Sequence, residues 1–171
     1  MKYTYPFTEA EFKAASDAWG CNCGPGALAF ACQISLDRVR AAIPDFDAKR
    51  YTSPTMMIAA IAALGRRHWP EVVSGREFPE RLFPDDMSLV RIQWTGPWTA
   101  PGANPKWAYR QTHWIASWWE PEQHFVFDIN GGLMTVDRWK AEIVPLITAH
   151  VPRADGGWKP THVWRLIGGP G

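Results

Sequence analysis

Residues 19–31 read WGCNCGPGALAFA, a short polar start followed by an apolar run. Asn22 is a favoured N-cap residue, and Pro25 suits the first helical turn, where a backbone N–H has no partner to lose. The pattern predicts a buried helix that begins at Cys23 and ends near Gln33. A thiol at a helix N-terminus has a lowered pKa, because the helix dipole and the free N–H groups favour the thiolate. Cys23 is therefore a candidate nucleophile.

A histidine and a carboxylate follow on two predicted strands. His113 lies in the run QTHWIAS, and Asp128 ends the run FVFD before a turn that contains two glycines. An even-numbered loop, such as residues 119–122, places both side chains on one face of a hairpin, where Asp128 holds the imidazole that activates the cysteine. His124 is the competing base. Asn130 is the alternative group for orienting the histidine.

These segments resemble the motifs of papain-like cysteine peptidases, most closely the branch that processes bacteriocin leaders and its stand-alone relatives. The run CGPGALA from Cys23 is similar to the nucleophile signature, HWIA from His113 to the histidine strand, and FD at Asp128 to the orienting aspartate. The resemblance implies a cysteine hydrolase, a peptidase or amidase that works through a thioester. It also implies a papain-like fold, with N-terminal helices carrying the nucleophile packed on a mostly antiparallel sheet.

One departure from that family concerns the oxyanion hole. The family places a glutamine five or six residues before the nucleophile, where this chain has Asp17 and Ala18. An ionised aspartate cannot donate a hydrogen bond. The side-chain donors that remain beside the backbone N–H of Cys23 are Trp19 and Asn22.

Helical patterns fill the first half of the chain and strand patterns the second. Helices are predicted over residues 8–18, from Ser35 to before Pro44, and from Ser53 to Gly65. Strands are predicted at residues 89–94, 111–117, 125–128, 133–134 and 161–167, with a helix from Thr135 to about Pro145. This order indicates an α+β fold with a mostly antiparallel sheet, and 171 residues suit one domain spanning 1–171.

Composition narrows the function classes. The net charge of +1 argues against a nucleic-acid partner, and Arg66-Arg67-His68 is interpreted as a solvated helix end. No apolar run is long enough to span a membrane, and no secretory signal is visible. The three cysteines lie close together, which fits a reducing cytoplasm. Most of the eleven tryptophans are expected in the core, although the loop Trp94–Trp107 is a candidate groove wall.

The sequence leaves several alternatives for the nucleophile, for a metal site and for the function. Cys21 is a lesser nucleophile candidate, and Cys32 is expected in the helix core. A zinc site from Cys21, Cys23, Cys32 and a histidine is disfavoured, because Cys-x-Cys without a second pair of cysteines is an unusual spacing for structural zinc. No metal or cofactor is expected, and the substrate is a peptide or protein. Acyl transfer with the same triad, an inactive papain-like binding protein, and the oligomeric state all stay open.

Overall fold

The cysteine-containing run forms the helix that its sequence predicts. Helix α2 (Cys23–Cys32) begins after Asn22, whose side-chain oxygen accepts the Gly24 N–H at 3.2 Å. It ends at Gln33, which adopts a left-handed conformation with φ of 55°. Nearly every residue of α2 is buried, so the helix lies inside the protein rather than on its surface.

The computed structural model describes residues 3–71, 87–104, 106 and 110–167. Its other helices are α1 (Glu9–Trp19), α3 (Leu36–Ala42), α4 (Phe46–Lys49), α5 (Pro54–Ala63), α6 (Val136–Arg138) and α7 (Val144–His150), with a π-helical turn at Trp139–Ile143 and a 3-10 turn at Pro97–Thr99. Its strands are β1 (Arg67–Glu71), β2 (Ser88–Trp94), β3 (Thr112–Glu120), β4 (Gln123–Asp128), β5 (Gly132–Thr135) and β6 (Trp158–Ile167). The predicted arrangement of helices first and strands second is therefore confirmed, although β1 and α4 were not predicted.

The strands form one antiparallel six-stranded sheet in the order β1-β6-β2-β3-β4-β5. The α+β class with an antiparallel sheet is thus confirmed. One apolar cluster joins α1–α5 to strand residues such as Trp114 and Phe127, while a second joins the helical segment after β5 to residues such as Ile115 and Val126. Because side chains alternate along a strand, these clusters cover the two faces of the sheet.

Most described tryptophans belong to these two cores, as expected. Those with at most 4% exposure are Trp19, Trp94, Trp114, Trp118, Trp139 and Trp164. Trp69 is an exception at 65% exposure. In the described ranges, no helix has both the length and the apolar character needed to cross a membrane.

Three local features differ from the sequence predictions. Arg67 and His68 belong to the edge strand β1, so the interpretation of this basic run as a helix end was wrong. The short helix α4 was missed, because its four residues are too few to show helical periodicity. The hairpin of β3 and β4 turns through residues 121–122 alone, yet this loop is still even-numbered.

Gly24 offers a test of how closely α2 approaches its neighbours. A methyl group added to Gly24 would collide with the Thr52 side chain, with the two Cβ atoms only 2.6 Å apart and the hydroxyl oxygen closer still. We expect Gly24→Ala to lower the free energy of unfolding by about 1–3 kcal/mol through overpacking. Thermal and urea unfolding would measure this loss.

Gly26→Ala is the matched control in the same helix. Its added methyl would lie 3.3 Å from the nearest atom, the end of the Ile129 side chain, and alanine favours the helix by about 1 kcal/mol. We therefore expect a small change for this variant. Equal losses for both variants would contradict a tight contact between Gly24 and Thr52.

Candidate active site

Cys23 occupies the first position of α2, where the helix meets β3. Its side chain is partly exposed and lines a cleft of about 820 Å³. The backbone N–H of Trp114 donates a hydrogen bond to the Cys23 sulfur, and the His113 side chain is hydrogen-bonded to the same sulfur. The predicted nucleophile and the predicted base are therefore in direct contact.

His113 lies near the start of β3 with only 6% of its surface exposed. Its Nε2 atom is 2.9 Å from Oδ2 of Asp128, which leaves Nδ1 as the ring nitrogen for the Cys23 sulfur. The register of β3 and β4 extends to place Asp128 opposite residue 115, diagonal to His113 on the same face. The expected shared face is thus present, although the pairing is diagonal.

Asp128 is fully buried, and four hydrogen bonds compensate its charge. Oδ2 accepts from His113 and, at 2.7 Å, from the Trp139 indole. Oδ1 accepts from the backbone and the side-chain amide of Asn130, at 2.9 and 3.2 Å. Asn130 therefore holds Asp128 in place and does not itself orient the histidine.

Trp139 is a site residue that sequence reasoning missed. It lies in the π-helical turn after β5, eleven residues beyond Asp128, and none of its surface is exposed. A buried tryptophan needs an acceptor for its indole N–H. That requirement is the only signal in the sequence, and it does not identify which acceptor is used.

The charges of the three groups favour a thiolate–imidazolium pair. Burial opposes the Cys23 thiolate, but the positive charge and hydrogen bond of His113 and the Trp114 N–H outweigh burial and lower the thiol pKa. Burial also opposes protonated His113, but Cys23 and Asp128 outweigh it and raise the imidazole pKa. The pKa of Asp128 is lowered despite its burial, chiefly by His113.

The other two cysteines, Cys21 and Cys32, have raised rather than lowered thiol pKa values. Burial raises the pKa of Cys21 to about 12 and that of Cys32 to about 11. Both side chains are only 3% exposed. In the described ranges, no group of three or more His, Cys, Asp or Glu side chains is placed to hold a metal ion.

The competing histidine lies elsewhere in the sheet. His124 Nε2 is 2.6 Å from the Ser117 hydroxyl, and its ring stacks on Trp119. Burial lowers the pKa of His124 to about 4. A neutral, stacked histidine of this kind has a structural role.

The two oxyanion candidates differ in their positions. Trp19 is buried against Phe46, with ring centroids 5.4 Å apart, and lines a different cavity. Its predicted place beside Cys23 is therefore wrong. Asn22 does line the Cys23 cleft, and its Nδ2 donates to the Arg50 carbonyl at 3.1 Å. A primary amide has two N–H bonds, so one remains after this contact.

The predicted groove wall, Trp94–Trp107, contributes less to the cleft than expected. Trp94 is buried, with its indole donating to Thr148 at 2.7 Å, and Trp98 lines a separate cavity. Lys106 does line the Cys23 cleft. Trp107 lies outside the described residues.

Thiol alkylation tests the charge state of this cluster. At about pH 6, we expect iodoacetamide to modify Cys23 and leave Cys21 and Cys32 intact, because only Cys23 has a lowered pKa. His113→Gln removes the positive charge, so the pH at which alkylation begins should rise. Peptide mass spectrometry over a range of pH would measure both effects. Faster labelling of Cys21 or Cys32 would contradict the assignment of Cys23 as the cysteine with the lowered pKa.

Trp139→Phe tests the support of Asp128. The folded-state pKa of Asp128 is lowered, so its ionisation stabilises the protein above the unfolded pKa of about 3.9. That stability is lost as the pH falls through the folded pKa. Without the indole hydrogen bond, we expect the stability to fall less between about pH 5 and pH 2. Urea unfolding at several pH values measures this slope.

Trp94→Phe is the control for this slope. Trp94 is also buried, but its indole donates to the Thr148 hydroxyl, which does not titrate. This variant should lose overall stability while keeping the acid dependence of the parent. Identical slopes in the parent and both variants would show that Trp139 does not support the carboxylate.

A search against protein-family models finds no match to this chain, and a search of curated proteins finds no match either. A partly exposed thiol with a lowered pKa, a protonated imidazole and a buried carboxylate form a set that suits nucleophilic attack on a carbonyl.

Proposed function

We propose that this protein is a cysteine hydrolase, a peptidase or amidase, with a papain-like fold. The observation that carries the proposal is the chain of contacts from the Cys23 sulfur through His113 to Asp128. The helix that presents the cysteine also packs on the antiparallel sheet that supplies the other two groups. This arrangement is the one implied by the resemblance of the three motifs to papain-like peptidases.

In the proposed first step, the Cys23 thiolate attacks the carbonyl carbon of the scissile amide. The carbonyl π electrons move to the oxygen, which becomes an oxyanion. The C–N bond then breaks as His113 gives its Nδ1 proton to the departing amine. The products of this step are a free amine, a thioester on Cys23 and a neutral imidazole.

In the second step, water hydrolyses the thioester. Neutral His113 removes a proton from the water as the water oxygen attacks the carbonyl carbon. Collapse of this intermediate breaks the C–S bond and releases the carboxylic acid product. The thiolate and the imidazolium are restored, while Asp128 keeps the ring in one orientation.

Two N–H groups serve the oxyanion in this proposal. The first is the backbone N–H of Cys23, which has no acceptor within the helix because it lies in the first turn. The second is the remaining N–H of the Asn22 amide. Preorganised donors of this kind each contribute about 3–4 kcal/mol to transition-state stabilisation.

Acylation by p-nitrophenyl acetate tests the proposed chemistry directly. We expect a burst of p-nitrophenol and an acetyl group on Cys23, detected by intact-protein mass spectrometry. Cys23→Ala should abolish both, whereas Cys21→Ala should retain them. An unreactive Cys23 would favour the binding-protein alternative. Adding an amine nucleophile and identifying the products distinguishes hydrolysis from acyl transfer.

Asn22→Ser tests the second oxyanion donor. Serine is also a favoured N-cap, so the variant keeps the cap on α2 while losing the amide. We expect the acylation rate to fall roughly 100-fold or more. Alkylation by iodoacetamide forms no oxyanion, so its rate should be nearly retained.

Trp19→Phe is the matched control for that measurement. Because Trp19 lines a different cavity, this variant should acylate at the parental rate. Equal acylation rates for the parent and Asn22→Ser would remove Asn22 from the mechanism. A parallel loss of acylation and alkylation would show that Asn22 acts only through the position of Cys23.

A further inference from the structure

Apart from the Cys23 thiolate, the charged side chains that line the Cys23 cleft in the described ranges are all cationic. Three cationic side chains line it: Arg91, Lys106 and Arg110. No Asp or Glu is among the described residues that line this cleft. The chain as a whole is almost neutral, with 18 Lys and Arg against 17 Asp and Glu, so the cationic lining is a local feature.

Lys106 and Arg110 are the exposed members of this set. Within the described part of the chain, neither of their charged groups is paired with a carboxylate. Other exposed cations do have such partners, as Arg40 does with Asp47 at 3.1 Å. As far as the described residues go, Lys106 and Arg110 are available to bind an anion from outside the protein.

Arg91 is the buried member of the cationic set. It lies in the central strand β2 with only 2% of its surface exposed, and its Nη1 donates to the Thr161 hydroxyl at 3.0 Å. His162 lines the cleft beside it and adds no charge near neutral pH, because burial and Arg91 lower its pKa. A cleft with low-dielectric walls and one sign of charge concentrates ligands of the opposite sign.

We propose that this cleft selects peptides with an acidic side chain, Asp or Glu, next to the bond that Cys23 attacks. The inference rests on the proposed function, since it assumes that Cys23 attacks a peptide. Arg110 is suited to bind the carboxylate through two parallel N–H bonds, and Lys106 adds a second charge.

The first test compares two reagents that differ only in charge. Iodoacetate is anionic and iodoacetamide is neutral, and both alkylate Cys23 by the same displacement. The rate with iodoacetate divided by the rate with iodoacetamide reports how strongly this cleft attracts a carboxylate. In the double variant Lys106→Gln, Arg110→Gln, we expect this ratio to fall roughly threefold to tenfold.

A charge-matched double variant provides the control. Arg38→Gln, Lys140→Gln also removes one arginine and one lysine, but neither residue lines the cleft. The ratio should keep its parental value in this control. An equal fall in both double variants, or no fall in either, would overturn the inference.

The second test uses a pair of peptidyl vinyl sulfones with Glu or Gln beside the reactive group. We expect the parent to be labelled at Cys23 several times faster by the Glu compound, and the cleft double variant to show no such preference. Equal rates in the parent would overturn the inference alone. Failure of both compounds and of iodoacetamide to label Cys23 would overturn the proposed function instead.

Discussion

The burial of the Asp128 carboxylate is the constraint on which the rest of the site depends. An unpaired charge with no exposed surface would cost several kcal/mol, so the protein must surround it with donors. Those donors come from β3 through His113, from the turn after β4 through Asn130, and from the π-helical turn through Trp139. Compensating one charge therefore fixes three separate segments of the chain relative to one another.

A second set of contacts fixes the cysteine against the same strand. The absence of a side chain on Gly24 lets Thr52 approach α2 closely, and the Thr52 carbonyl accepts the Trp114 indole N–H at 2.9 Å. The backbone N–H of Trp114 in turn donates to the Cys23 sulfur. One residue of β3 thus links the helix start, the loop before α5 and the nucleophile. The thiol is held by packing on one side and faces the cleft on the other.

The features of this structure that the sequence predicts are those set by residues close together in the chain. Thr8, Asn22 and Ser53 each cap the helix they were expected to begin, because capping depends on only a few neighbouring residues. The shared face of His113 and Asp128 was also predictable, because it depends only on the length of one hairpin loop and on the alternation of side chains along its two strands. The contacts of Trp139 and Trp19 could not be predicted, because they are set by helices that pack from opposite faces of the sheet.

The electrostatics of Cys23 reflect a balance between two neighbours of opposite charge. Asp128 alone would raise the thiol pKa, but it has no direct contact with the sulfur and acts mainly by keeping His113 protonated. His113 touches the sulfur directly, so its positive charge outweighs both the aspartate and burial. The Asp128 carboxylate is fully buried and accepts four hydrogen bonds, one of them from the imidazole of His113. Lys106 and Arg110 line the cleft beside the Cys23 sulfur, whereas Asp128 is not among the described residues that line it, so an anionic ligand in the cleft is kept away from the buried carboxylate.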